Sequence, residues 1–220
     1  EQEMVNSLGW LISLRWLAGL AVIAAAVLGV ILRKVPLPTG PIFVTGAAIL
    51  TYNAGLLAIL HHLRRSTAVR TEAFETFTRF QMLLDWVAMT ALVAMSGGIE
   101  SPAILFFMFH ITIASLLLPH HRGFVYVTAP PLLVGFVALA EYIGWLPHVA
   151  IVQPVRYNDP VFVGFMLVFF TSACYVLAYC CMTITRRLRR RERELGGLYD
   201  GVRDITSTLE ITDVLDRHFE

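Results

Sequence analysis

One short segment, Ser96–Pro102 with the sequence SGGIESP, combines residue types that could bind a ligand between two apolar stretches. Gly97 and Gly98 have no side chain to keep a ligand from the backbone, and N–H groups at the start of the next helix can donate to a carbonyl. Phe106 and the phenylalanines after it supply an aromatic lining. A quinone head group, a flat ring with two carbonyls on a lipid-soluble tail, suits such a site. The candidate ligand-binding residues are Gly97, Gly98, Ser101, Pro102, Phe106, His110 and Glu141.

The same segment also has a plain structural interpretation. The two glycines allow the chain to reverse direction, Ser101 can cap the following helix, and Pro102 fits its first turn. A tight hairpin between two helices could have this sequence without binding anything, so both interpretations stay open.

His110 and Glu141 lie on the helices that border this bend. At about 1.5 Å per residue, His110 lies about 13 Å below the bend, and Glu141 ends a helix at the level of the bend. His110 is either a buried, hydrogen-bonded histidine or a ligand contact. Glu141 is either a solvated helix end or part of the site.

Three further polar residues interrupt apolar stretches at matching depth. Asp85 and Asn53 lie about 8 and 10 Å from the same end of their helices, and Arg15 enters from that side. Polar groups in a membrane are costly unless they face a partner, water or protein. We predict that Arg15, Asn53 and Asp85 form a polar clasp between three helices. A signalling or proton-handling role is the alternative.

Other reactive residue types form no recognisable centre. The paired histidines are His61 with His62 and His120 with His121. Because adjacent residues on a helix point about 100° apart, we expect no metal site there. The cysteines are Cys174, Cys180 and Cys181. They match no zinc or haem motif and are interpreted as packing residues, with a redox or palmitoylation role as the alternative. No catalytic residues are evident in this chain.

The elements that must position these residues are membrane-crossing helices. Hydrophobic residues make up 57% of the chain and charged residues 15%, and the mean hydropathy is +0.68. A crossing helix needs about 20 apolar residues. The candidate spans are Leu14–Leu32, Ile42–Leu60, Phe80–Met95, Pro102–Leu118, Phe124–Tyr142 and Val161–Ile184. The predicted fold class is therefore an all-α polytopic membrane protein with six transmembrane helices.

Basic residues set the predicted orientation, because cytoplasmic loops carry the excess of positive charge. With the N-terminus inside, the inner side holds Arg15, Arg64, Arg65, Arg70, Arg79, Arg122, Arg186, Arg187, Arg189, Arg190, Arg191 and Arg193. The outer side holds Arg33, Lys34 and Arg156. We predict that both termini are cytoplasmic and that SGGIESP faces outward.

The composition changes from apolar to charged after Ile184, which divides the chain into a transmembrane domain, residues 1–185, and a cytoplasmic segment, residues 186–220. Leu188, Leu195, Leu198, Val202, Ile205 and Leu209 follow the spacing of a helix that pairs with another helix. We predict a dimeric signalling helix. An amphipathic helix on the inner leaflet is the alternative.

The outer glycine loop between spans three and four, the acidic residue in span three and the cytoplasmic continuation resemble the membrane sensor region of RegB/PrrB-type redox-sensing histidine kinases. Gly97, Gly98 and Pro102 match the GGxxNPF-like motif of that family, whereas Ser101 and Ala103 replace its asparagine and phenylalanine. The resemblance implies a quinone at this loop. Separately, residues 198–220 resemble the first helix of a GAF domain, which implies that the chain is cut just inside such a domain.

The resulting prediction is the membrane input domain of a bacterial two-component sensor histidine kinase in the inner membrane. Ubiquinone or menaquinone is the expected ligand. The expected partners are lipid, a second copy of the chain, and a response regulator through kinase domains outside it; nucleic acid is not expected. Two alternatives stay open: an accessory or scaffold subunit of a larger respiratory or photosynthetic membrane complex, and a small transporter or quinone-using enzyme. The last is disfavoured because no continuous polar path is evident.

Overall fold

The computed structural model describes residues 2–32, 38–65, 71–117, 123–151 and 153–216, and helices joined by turns and loops make up these ranges. The α-helices are α1 Gln2–Leu32, α2 Thr39–Arg65, α3 Thr71–Met95, α4 Phe106–Leu117, α5 Gly123–Tyr142 and α6 Pro160–Asp216. Two 3-10 turns, Gly98–Glu100 and Pro102–Leu105, join α3 to α4. The predicted all-α class with six helices is confirmed. Leu118, His120, His121 and the end of the chain after Asp216 lie outside the described residues.

Helix ends are where the predicted spans and the structure differ. α1 begins at Gln2 and α3 at Thr71, well before the predicted Leu14 and Phe80. Apolar composition marks only the part of a helix that can lie in hydrocarbon, whereas backbone hydrogen bonding continues into polar flanks. The fourth span begins with a 3-10 turn at Pro102, and the α-helical geometry starts only at Phe106.

Length and composition make three of the described helices long and apolar enough to cross a membrane. These segments are Gly9–Ile31, Thr39–His62 and Pro160–Tyr199, and shorter apolar helices cover Pro102–Ser115 and Tyr126–Tyr142. α3 differs because Arg79, Gln81 and Asp85 interrupt its apolar stretch. The position of α3 therefore depends on what its polar residues contact.

The chain divides into two compact units, Glu1–Ala178 and Tyr179–Glu220, and α6 has residues in both. In the first unit, α1 packs along α2, α2 contacts α3, and α3 and α4 both contact α5. Gly46 allows α1 and α2 to approach closely, because a Cβ there would lie 2.7 Å from Ile23 Cγ1. A core of Ile12, Leu56, Leu60 and Phe77 joins the first three helices.

Candidate functional site

The bend Ser96–Pro102 is built on two glycines with left-handed backbone. Gly97 has φ 107° and Gly98 has φ 54°, a region that side-chain-bearing residues rarely adopt. The 3-10 turn that follows is closed by the Glu100 N–H, which donates to the Gly97 carbonyl at 2.9 Å. As the sequence predicts, these glycines reverse the chain after α3.

Two serines fix the ends of the bend. The Ser96 hydroxyl donates to the Leu92 carbonyl at 2.6 Å, so the Ser101 hydroxyl, also 2.6 Å from Ser96 Oγ, must donate to Ser96. Ser101 Oγ in turn accepts from the Ala103 N–H at 3.1 Å, which is the predicted cap, and Pro102 occupies the first position of the turn. These hydrogen bonds therefore join the last turn of α3 to the start of the second 3-10 turn.

The bare faces of both glycines are covered by other parts of the chain. A Cβ on Gly98 would fall on the carboxylate of Glu141, and one on Gly97 would lie 2.9 Å from Ile151 Cδ1. The Ser101 N–H is already bonded to the Gly98 carbonyl at 3.1 Å. This corrects the expectation that the bend leaves backbone donors open to a ligand: the glycines make room for side chains of this same chain.

Glu141 contributes to a buried group that we call the Glu–His–Glu cluster: Glu100, Glu141 and His148. His148 Nδ1 lies 3.1 Å from Glu141 Oε1, and His148 Nε2 lies 3.8 Å from Glu100 Oε2. The side chain of Glu100 is 6% exposed, that of Glu141 is 1% exposed and that of His148 is 5% exposed. The imidazole therefore sits between two carboxylates, one on each ring nitrogen. Among the described residues, no group of His, Cys, Asp and Glu is arranged to hold a metal ion.

The α5–α6 loop (residues 143–151 and 153–159) carries His148 over the bend. Gly144, with φ 79°, ends α5, and the Trp145 N–H donates to the Ala140 carbonyl at 2.8 Å. The Tyr157 ring stacks on His148 at a centroid distance of 4.0 Å. The Arg156 N–H donates to Glu100 Oε1. We call the bend together with this loop the bend cap.

Phe106 and His110 lie on a different surface from the covered glycines. Phe106 is 56% exposed and its ring lies 5.9 Å from that of Phe109, so this face of α4 is open to the surroundings. His110 is half-buried, and its Nδ1 lies 3.0 Å from the Phe106 carbonyl oxygen. The structure therefore brings Gly97, Gly98 and Ser101 of the bend together with Glu141 at the end of α5, and it places Phe106 and His110 on α4.

A second polar cluster joins α1, α2 and α3. Arg15 Nε and Nη2 donate to the two carboxylate oxygens of Asp85, each at 2.8 Å, and Nη1 donates to Asn53 Oδ1 at 3.1 Å. The Asn53 amide donates to the Ile12 carbonyl at 3.0 Å. The structure thus brings together the three residues predicted for a clasp. Arg15 and Asp85 form a bidentate ion pair, which is the strongest arrangement for arginine and carboxylate.

The clasp contains two members that sequence reasoning missed. Gln81 Oε1 accepts from Arg15 Nη1 at 3.2 Å, and the Tyr52 hydroxyl donates to Asp85 Oδ1 at 2.7 Å. Gln81 precedes Asp85 by one helical turn and Tyr52 adjoins Asn53, so helical spacing is a signal that could have found them. We call these residues, Arg15, Tyr52, Asn53, Gln81 and Asp85, the arginine clasp.

Residues 7–195 match the family model described as PilS-like transmembrane domain. The chain belongs to this family. The PilS-like domain is a six-span membrane domain, and the membership supports a membrane sensor-kinase domain. A search of curated proteins and a search of solved structures each found no match. The resemblance to RegB/PrrB-type kinases stays a prediction.

Within the PilS-like domain, the bend cap contains two residues that sequence reasoning did not assign to a site, Glu100 and His148. Glu100 is the one charged residue of SGGIESP, which was a usable signal. His148 lies in a loop, where no periodicity relates it to Glu141, and only the folded loop brings it between the two glutamates. Sequence spacing could not have shown that contact.

We expect Arg15→Met to destabilise the PilS-like domain by about 3–5 kcal/mol, because it leaves the Asp85 carboxylate buried without its counter-charge. The double substitution Arg15→Met with Asp85→Leu should recover most of that loss, because no unpaired charge remains. Unfolding of the purified chain in mixed micelles by increasing SDS measures both values. The matched control is Arg190→Ala, which removes an ion pair with Glu194 at 2.7 Å. Because that arginine side chain is 82% exposed, its loss should change stability little. Equal losses in the single and double variants would show that the clasp acts through packing alone.

Proposed function

We propose that this PilS-like chain is the membrane input domain of a bacterial two-component sensor histidine kinase in the inner membrane. The family match over residues 7–195 supports this proposal. Twelve basic residues on the predicted inner side against three on the outer side support cytoplasmic termini and an outward bend cap. A response regulator would then receive the output through the kinase domains of the complete protein.

The observation that carries the proposal is the direct connection between the bend cap and α6. Asp159 ends the α5–α6 loop, and its Oδ1 accepts from the N–H groups of Val161 at 2.9 Å and Phe162 at 3.3 Å. Arg156 contacts both the bend and α6. Its backbone N–H donates to Glu100, and its guanidinium lies 5.8 Å from the centre of the Phe162 ring. A change in how the loop packs on the bend must therefore move the first turn of α6.

α6 then provides the route of output, because it is one helix from Pro160 to Asp216. In this proposal the bend cap has two packings in equilibrium. A stimulus can shift that equilibrium only by its difference in affinity between the two packings. The input is therefore whatever binds one packing of the bend cap, or of the helices below it, more tightly than the other.

Gly98→Ala in the full-length kinase tests this role of the bend cap. The new Cβ meets the Glu141 carboxylate and displaces it, so we expect autophosphorylation in membrane vesicles to change by about fivefold or more. Gly144→Ala is the matched control, because φ is also positive there but the added Cβ meets nothing within 4 Å. It should leave autophosphorylation unchanged within about twofold. Wild-type activity in Gly98→Ala protein, inserted at normal levels, would contradict the proposal.

We also propose a quinone as the ligand, bound from the bilayer at Phe106 and His110 rather than inside the covered bend. A carbonyl oxygen only accepts, so His110 Nδ1 must donate to the Phe106 carbonyl. A neutral His110 then presents Nε2 as an acceptor. The hydroxyl of a reduced quinol can donate to Nε2, whereas the carbonyl of an oxidised quinone cannot. This difference would give redox discrimination.

Vesicles loaded with ubiquinol or ubiquinone test this ligand proposal. We expect autophosphorylation of the full-length kinase to differ about fivefold between the two forms. His110→Phe keeps an aromatic ring but removes the acceptor, so it should abolish the difference. Phe165→Leu, at a position that is 74% exposed on α6, should preserve it. A redox difference that persists in His110→Phe protein would exclude this site.

A homodimer through the cytoplasmic part of α6 completes the proposal. Leu188, Leu195, Leu198 and Val202 are all exposed in the single chain, at the spacing of a paired helix. Ile205 and Leu209 continue this spacing along the helix. A GAF module after this seam also remains a proposal, which the sequence of the complete gene tests.

Leu195→Glu tests the dimer, because a charge at the seam must be desolvated when two helices pair. We expect light scattering of the purified chain in detergent to give a dimer for wild type and a monomer for Leu195→Glu. Gly197→Glu is the matched control: it adds the same charge nearby on the helix, where a side chain meets nothing within 4 Å. It should remain dimeric. A monomeric wild-type chain, or a dimeric Leu195→Glu chain, would refute pairing through this seam.

A further inference from the structure

The Glu–His–Glu cluster is a buried titratable group that neither the quinone proposal nor the dimer proposal uses. It lies where the α5–α6 loop meets the bend, and it joins three separate parts of the chain: the 3-10 turn through Glu100, the end of α5 through Glu141, and the loop through His148. Any change in its charge acts on the contact that holds the bend cap together.

Three polar atoms of this cluster are buried without a hydrogen-bond partner: Glu100 Oε2, Glu141 Oε2 and His148 Nε2. The two unpartnered atoms His148 Nε2 and Glu100 Oε2 face each other at 3.8 Å. A neutral imidazole has one N–H and can donate to only one of its two carboxylate neighbours. An imidazolium has two N–H groups and can donate to both. The 3.8 Å between His148 Nε2 and Glu100 Oε2 is beyond hydrogen-bond distance but within ion-pair range, so a proton on Nε2 would place a positive N–H group against the Glu100 carboxylate.

The charge balance favours an additional proton in the same way. With a neutral His148, two glutamates would place two negative charges in a buried space, whereas protonation of the ring removes one of them. The other ionisable groups near the ring come from the loop. Tyr157 stacks on His148, and Arg156 directs its guanidinium over Phe162.

We propose that the Glu–His–Glu cluster is a proton-binding site through which the pH outside the membrane controls the bend cap. Protonation of His148 adds an attraction between the ring and the Glu100 carboxylate and holds the loop on the bend. Deprotonation leaves a lone pair facing a carboxylate and weakens that contact. The stabilisation is therefore present at low pH and is lost as the pH rises. The consequence for kinase output rests on the function proposed above, whereas proton binding itself does not.

Hydrogen exchange of the Arg156 amide measures this contact directly, because that N–H is bonded to Glu100 only when the loop lies on the bend. The purified chain in lipid nanodiscs is compared at about pH 5.5 and about pH 8, with exchange rates corrected for the intrinsic effect of pH. We expect protection of peptides containing Arg156 to be about tenfold higher at the lower pH. His148→Gln should remove this difference. Protection that does not depend on pH in the wild-type chain would overturn the proposal.

Two further variants keep the result decisive. Glu141→Gln retains His148 but removes one neighbouring negative charge, so the midpoint of the transition should fall by about one pH unit. An unchanged midpoint would count against the cluster. His62→Gln removes an exposed histidine of the first unit that has no part in the proposed sites, and it should leave the pH dependence intact. Loss of the pH dependence in this variant would assign the response to His62 instead. If the amides of α1 and α2 exchange as slowly in a variant as in the wild-type chain, that variant is folded. Because this measurement needs no kinase domain, its failure leaves the Gly98 and Gly144 comparison of kinase output unaffected.

Discussion

An apolar surrounding offers no water to charged side chains, and this constraint explains the arrangement of the first three helices. Arg15 and Asp85 would each be strongly unfavourable alone inside a membrane. As a bidentate pair with Asn53, Gln81 and Tyr52 around it, the guanidinium and the carboxylate have their hydrogen bonds largely satisfied by protein. Since the partners come from three helices, forming the clasp fixes their depth and rotation relative to one another. α3, the most polar of these helices, is thereby held in place by its charge rather than by apolar composition.

The same constraint gives a different result at the bend cap. There, Glu100 and Glu141 are buried with a single imidazole between them, and the glycine pair supplies the space they need. Gly98 must lack a side chain because the Glu141 carboxylate occupies the position where a Cβ would lie. Glycine therefore serves internal packing at this position. The arginine clasp is a balanced ion pair, whereas the Glu–His–Glu cluster, with two carboxylates around one imidazole, is the place where we propose that a proton binds.

In the proposed input domain, the two clusters would have different tasks. The arginine clasp ties α1 to α2 and α3, and the bend cap joins α3, α4 and α5 to the loop that leads into α6. A sensor needs one part that stays fixed and one part with two arrangements of similar free energy. Membership of the PilS-like family supports a membrane sensor-kinase domain. The α5–α6 loop contacts both the bend, through the Arg156 N–H that donates to Glu100, and the first turn of α6, through Asp159, which accepts from the Phe162 N–H.

Residue types and their spacing were sufficient to predict the helical class, the approximate spans and the depth at which polar residues lie, because membrane thickness and helical rise turn residue number into distance. The depths of Arg15, Asn53 and Asp85 pointed to their contact for this reason, and helical spacing could have added Gln81. Helix ends were less predictable, since α1 and α3 extend into polar flanks that composition does not mark. Only the tertiary structure decided that Gly97 and Gly98 are covered and that His148 lies between Glu100 and Glu141. That contact depends on the path of a loop, and a loop has no periodicity from which distances can be calculated.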